Sequence, residues 1–175
     1  MDSASLEVVL NLASGMGGAV LGASVAYVLA RNRGRRLLTF ELHREFHSDR
    51  ILRARSNAEK FVRKYPNTIY NDLNYTEDED ILRNSTWELI GFYERLWLSV
   101  KHKRVDRDLI PELFGNLFYW WYIVAFEKLL VPSKWSASDQ ISDLKKWFDE
   151  NTYDYQKEEW SERGRVYRDE IESLV

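Results

Sequence analysis

Between Val8 and Leu29 the chain runs without a single charge, and only Asn11, Ser14 and Ser24 in that run are clearly polar. As a helix rising about 1.5 Å per residue, a run of this length reaches about 33 Å, against a bilayer hydrocarbon core of about 30 Å. Asp2 and Glu7 precede the run, and Arg31, Arg33, Arg35 and Arg36 follow it. An export signal has the reverse order, with positive charge ahead of the apolar stretch and a small-residue cleavage site behind it. A buried helix of a soluble domain would be shorter or would carry a polar stripe. The remaining reading is a permanent transmembrane helix. Lys and Arg beside a span stay on the cytoplasmic side, so the N-terminus is expected outside and the C-terminus in the cytoplasm.

The span is rich in small residues. Ser14, Gly18, Gly22 and Ala26 recur every four positions, and Asn11 falls on the same helical face as Gly18. Small residues at this spacing let two backbones approach closely, and a polar side chain there can hydrogen-bond across the contact. Asn11, Ser14, Gly18, Gly22 and Ala26 are therefore the expected surface of a homo-oligomer, favoured over the alternative that Gly and Ala are simply common in membrane helices.

Beyond the span the charge balance changes sign along the chain. Residues 31–64 hold eleven Lys/Arg against four Asp/Glu, although the whole chain sums to −3. Arg31, Arg33, Arg35 and Arg36 lie where anionic headgroups would be, each adding about 1 kcal/mol of attraction. Beside a membrane that reading is simpler than nucleic-acid binding, so no nucleic-acid partner is expected. The absence of cysteine excludes disulfides and thiolate chemistry.

From Leu37 onward the pattern is helical, with three prolines in the chain and no sustained β alternation. The spacing predicts a helix from about Leu37 to Tyr65, stopped by Pro66. Its stripes Leu38–Leu42–Phe46 and Ile51–Ala54–Ala58–Phe61 lie on nearly opposite faces, so it either breaks near "HSDR" or changes the face it buries. Residues 66–75 read as loop, and Thr76 with Glu79 forms a capping box before a helix to about Lys103. Asp106 or Asp108 is expected to cap a third helix running to about Leu130. A short helix over Asp139–Glu150 and a last one over Tyr155–Leu174 complete the set. Trp160, Tyr167 and Leu174 repeat every seven residues there, read as intramolecular packing. Within the third helix, Leu113–Phe126 is too short for a second span and is read as core, with Trp120 and Trp121 at the membrane surface as the competing view. The expected fold is thus all-α. A short external N-terminus and transmembrane helix occupy residues 1–30, a basic juxtamembrane helix 31–65 and a cytosolic helical domain 66–175, giving a bundle of about four to five helices.

Candidate chemistry is sparse. His43 and His47 stand at i, i+4 and could share a metal, but Glu45 between them points off their face and no third ligand has a suitable spacing. Packed histidines are the preferred reading. Glu77–Asp80 lacks a calcium-loop glycine, and acidic residues favour a helix start in any case. "GMGG" has neither the strand nor the Lys-Ser/Thr of a phosphate loop.

The stretch from Thr86 to Trp121 resembles a bacterial family classed as a domain of unknown function, with an N-terminal membrane helix and a small helical domain. The resemblance lies in Phe92, Tyr93 and Glu94, in the basic turn Lys101–Asp108, and in Phe114, Gly115 and Trp121. It implies a bacterial inner membrane and this architecture, and supplies no catalytic residue. Glu94, among aromatic side chains, needs a partner such as Arg95 or Lys101, or a functional reason. The expectation is a non-catalytic, membrane-tethered module without cofactor. Membrane lipids, further copies of itself, and a protein or small-signal ligand of the cytosolic domain are its expected partners. Two alternatives are a membrane-disrupting effector of a bacterial antiviral (abortive infection) system and a metal-dependent enzyme using His43 and His47.

Overall fold

A computed structural model describes the backbone of residues 3–67 and 77–173, with side chains from 22–67 and 80–173. Among the described residues the chain is all-α, with six α-helices and no strand: α1 Ser3–Phe46, α2 Asp49–Lys64, α3 Glu77–Lys101, α4 Leu109–Trp121, α5 Ser136–Asn151 and α6 Asp154–Glu172. A π-helical segment, Tyr122–Leu130, and a 3-10 turn, Val131–Ser133, carry α4 onward to α5. No helix among the described residues is long and apolar enough to cross a membrane. The expected span and its small-residue face lie outside the described side chains except for positions from Gly22 onward.

The break near "HSDR" occurs. α1 ends at Phe46, and Ser48 begins α2 by accepting the Ile51 N–H on its hydroxyl at 3.4 Å, with Asp49 favourably placed in the first turn. The interruption lets both stripes reach one core: Leu42 and Phe46 from α1, then Ile51, Ala54, Ala58 and Phe61 from α2, are all buried. α3 is the central helix. Its two stripes bury Leu89, Phe92 and Leu96 on one side and Ile90, Tyr93 and Val100 on the other, while α2 lies along it and α5 packs from the other side.

The core is aromatic. Phe92 meets Phe46 at 4.8 Å between ring centroids, Tyr93 meets Phe118 edge-on at 5.3 Å, and Phe118 stacks on Phe148 at 4.7 Å. Leu113–Phe126 belongs to this core: Phe114, Gly115, Phe118, Tyr119, Trp121 and Ile123–Phe126 are buried. α4 and α6 approach so closely that a Cβ on Gly115 would stand 2.4 Å from the Trp160 ring, and one on Gly164 would stand 3.1 Å from Ile123. Trp160 of the seven-residue repeat therefore packs within the molecule, and Tyr167 rests on Trp120 at 5.0 Å.

Two local expectations need correction. Neither aspartate caps α4: Asp108 makes no capping bond, and the Asp106 carboxylate is held by Arg36 instead. α5 begins at Ser136 rather than Asp139, after Lys134 adopts a left-handed conformation that ends the preceding turn.

Candidate functional site

α1 leaves the bundle as a bare rod. From residue 22 to residue 34 every position is exposed, including Val25, Tyr27, Val28 and Leu29, and a Cβ on Gly22 or Gly34 would meet nothing within 4 Å. The hydrophobic core begins only at Leu38. Folding thus leaves Val25, Tyr27, Val28 and Leu29 without intramolecular cover, followed directly by Arg31, Arg33, Arg35 and Arg36.

At that root the turn between α3 and α4 closes on α1. Arg35 donates from Nε to the Lys103 carbonyl at 2.9 Å, and Arg36 pairs with Asp106 at 3.0 Å. The buried hydroxyl of Thr39 donates to the Arg35 carbonyl and accepts the Asp106 N–H, both at 2.9 Å. Val105, 1% exposed, pins the turn from below. A second basic run, Lys101–Arg107, is thereby brought beside the first although nearly seventy residues separate them. Between the two lies a cavity of about 400 Å³ whose lining includes Asn32, Arg35, Arg36, Lys103 and Arg107. The Arg107 guanidinium lies 5.3 Å over the Trp147 ring, so that ring steadies it without neutralising it. Across 31–36 and 101–108 stand eight Lys/Arg against Asp106 and Asp108. The arrangement is a cationic collar around the base of α1, able to bind phosphate-bearing groups by charge and by guanidinium hydrogen bonds.

Two turn residues show how the collar is built. Lys103 holds φ at 53°, the left-handed position that ends a helix, with its N–H bonded to the Val100 carbonyl and the Arg104 N–H bonded to the Ser99 carbonyl. Glycine is the usual occupant of such a position. Here a lysine occupies it and adds its charge to the collar. The sequence predicts headgroup contact for Arg31, Arg33, Arg35 and Arg36, with Lys103 at the end of a helix; that Lys103, Arg104 and Arg107 join them is a finding of the fold, and its signal is the run "KHKR".

His43 and His47 do come together, with ring centroids 4.5 Å apart. His43 sets an edge against Phe114 and His47 against Phe46. Among the described residues no third His, Cys, Asp or Glu joins them as a possible metal ligand. Partial burial holds the His47 imidazole below its ordinary value, and the nearby charges of His43 and Arg55 add to this. His43 is half-buried at the α1–α2 corner, and His47 is exposed beside it.

Glu94 lies beside the stacked Trp87–Trp135 pair, at the edge of an open depression that both rings line. Burial raises its carboxyl above the ordinary range, opposed by the charge of Arg95. Neither expected partner pairs with it: Arg95 bonds Glu45 at 2.7 Å, and Lys101 lies over the Trp97 ring. The remaining residues of the family resemblance, Phe92, Tyr93, Phe114, Gly115 and Trp121, are buried packing positions. Comparison with protein-family models, with curated proteins and with solved structures finds no match in any of the three. The functional reading therefore rests on the side chains.

Proposed function

We propose that this chain is a non-catalytic, membrane-tethered helical module of a bacterial inner membrane. It is anchored once through residues 8–29, self-associates through Asn11, Ser14, Gly18, Gly22 and Ala26, and presents a cytoplasmic bundle that senses or binds a partner. The carrying observation is the convergence of the two basic runs around α1, directly after Val25, Tyr27, Val28 and Leu29, which the bundle leaves bare. A cationic collar at that level would face anionic headgroups on the inner surface, as the rule that positive flanks stay inside requires.

Residues 31–175 contain the whole described core and can test the collar without the span. This fragment is expected to co-sediment with vesicles containing phosphatidylglycerol and not with pure phosphatidylcholine vesicles, and to release as salt rises. Equal sedimentation with both, or with neither, overturns the collar. The full chain is expected in the membrane pellet after ultracentrifugation, with its C-terminus protected from protease added to intact cells. Recovery in the supernatant overturns the anchor. Gly18→Ile with Gly22→Ile is expected to abolish crosslinked oligomers, and unchanged crosslinking removes the helix contact.

A further inference from the structure

On a different face of the bundle, α2, α4 and α6 line a groove of about 460 Å³. Leu52, Leu117, Trp120 and Trp121 supply apolar wall, and Arg55 and Arg163 supply hydrogen-bond donors. Among the described residues no acceptor bonds the Arg55 guanidinium, and of its nitrogens only Nε is closed off from the groove.

The charge in the groove is also uncompensated. Among the described residues no carboxylate pairs with Arg55; its guanidinium lies 4.9 Å over the Phe46 ring. Glu59, the groove's one acid, accepts instead from Arg63 and Tyr167. Arg163 pairs with Glu159 and stands at the mouth. A cavity of this volume lies in the usual range for small-molecule sites, where apolar walls hold the ligand and a few polar groups orient it.

The geometry points to a binding site for a small anion with a flat apolar body, such as an aryl phosphate ester. Its charged group is held by the terminal nitrogens of Arg55, and its body lies against Trp120 and Leu117. This assigns a chemical class to the small signal of the proposed function, while the site itself is formed wholly by the bundle. A lipid headgroup is the poorer source. Phe46, under Arg55, is ten residues past Arg36 on a continuous helix, about 15 Å further along its axis.

The test is calorimetric titration of the full chain in detergent micelles with 1-naphthyl phosphate, using protein-free micelles as the blank. Binding is expected, with 1-naphthol and inorganic phosphate each at least about tenfold weaker, because each lacks one half of the recognised chemistry. Arg55→Met is expected to weaken binding at least about tenfold, the usual effect of removing a charge-assisted hydrogen bond. Leu52→Glu, at an exposed rim position one helical turn from Arg55, is expected to give the same loss with an unchanged melting curve. No binding heat, equal affinity for 1-naphthol, or full affinity in both variants overturns the assignment. Displacement of 1-naphthyl phosphate by phosphatidylglycerol added to the micelles overturns it in favour of a headgroup. Because binding in micelles does not require insertion in a bilayer, failure here and failure of the membrane anchor are separate results.

Discussion

Replacing Lys103 by glycine should move stability and membrane affinity in opposite directions. A left-handed backbone costs a residue with a Cβ about 1–2 kcal/mol, and Lys103 sits there with φ at 53°. Glycine removes that cost but carries about 0.5–1 kcal/mol of extra chain entropy in the unfolded state. The net gain is about 0.5–1 kcal/mol, because the bonds from the Lys103 and Arg104 amides, and the Lys103 carbonyl that accepts from Arg35, are all backbone and survive. For a domain of this size that corresponds to a rise in Tm of about 1–4 °C. The same substitution deletes one collar charge, worth about 1 kcal/mol at an anionic surface, or about fivefold in vesicle affinity. Thermal melting and phosphatidylglycerol co-sedimentation of residues 31–175 read both effects, with Lys103→Arg as the charge-retaining control. A lower Tm would refute the strain argument. Unchanged sedimentation would refute the claim that this lysine is held there for its charge.

Three further outcomes follow from the packing and the titrating groups. Gly115→Ala should lower Tm, because a Cβ 2.4 Å from the Trp160 ring overpacks the α4–α6 contact by about 1–3 kcal/mol, more than the helix-propensity gain of about 1 kcal/mol; Trp160→Leu in the same chain should recover part of the loss. Glu94 binds its proton more tightly when folded, so its contribution is present at pH below 4.5 and lost as pH rises through its elevated folded value. Glu94→Gln should therefore raise Tm at pH 7 and leave it unchanged at pH 4. His47 binds its proton less tightly when folded, so its contribution is full above pH 6.5 and falls away as pH drops toward its depressed folded value. His47→Gln should flatten the fall in Tm measured between pH 7 and pH 5.

Helix positions were legible because apolar spacing reports directly on burial: the stripes on α2 and α3 became core, and the two incompatible stripes around "HSDR" signalled a real break. The capping of α4 was misread because an aspartate before a helix has two uses, and Arg36, distant in sequence, claimed the Asp106 side chain. The π-helical stretch Tyr122–Leu130 left no local signal, since its residues suit an α-helix equally well and its wider turn is a product of packing. Half of the collar was readable as arginines after an apolar run. The other half required knowing that Thr39 clasps the α3–α4 turn, a contact between positions 39 and 106 that no local pattern encodes. Arg55 and Trp120 read as ordinary members of amphipathic helices, and only the meeting of α2, α4 and α6 brings them to one groove.

Every described core residue lies after the bare stretch of α1, so the described interior is complete without residues 22–34. A single proteolytic cut near Arg31 or Arg33, in an exposed run of the kind trypsin-like enzymes favour, would detach the bundle with its interior untouched. On the anchoring proposed above, such a cut would change the molecule's address without changing its shape, and the freed body would keep Arg35, Arg36 and the α2–α4–α6 groove.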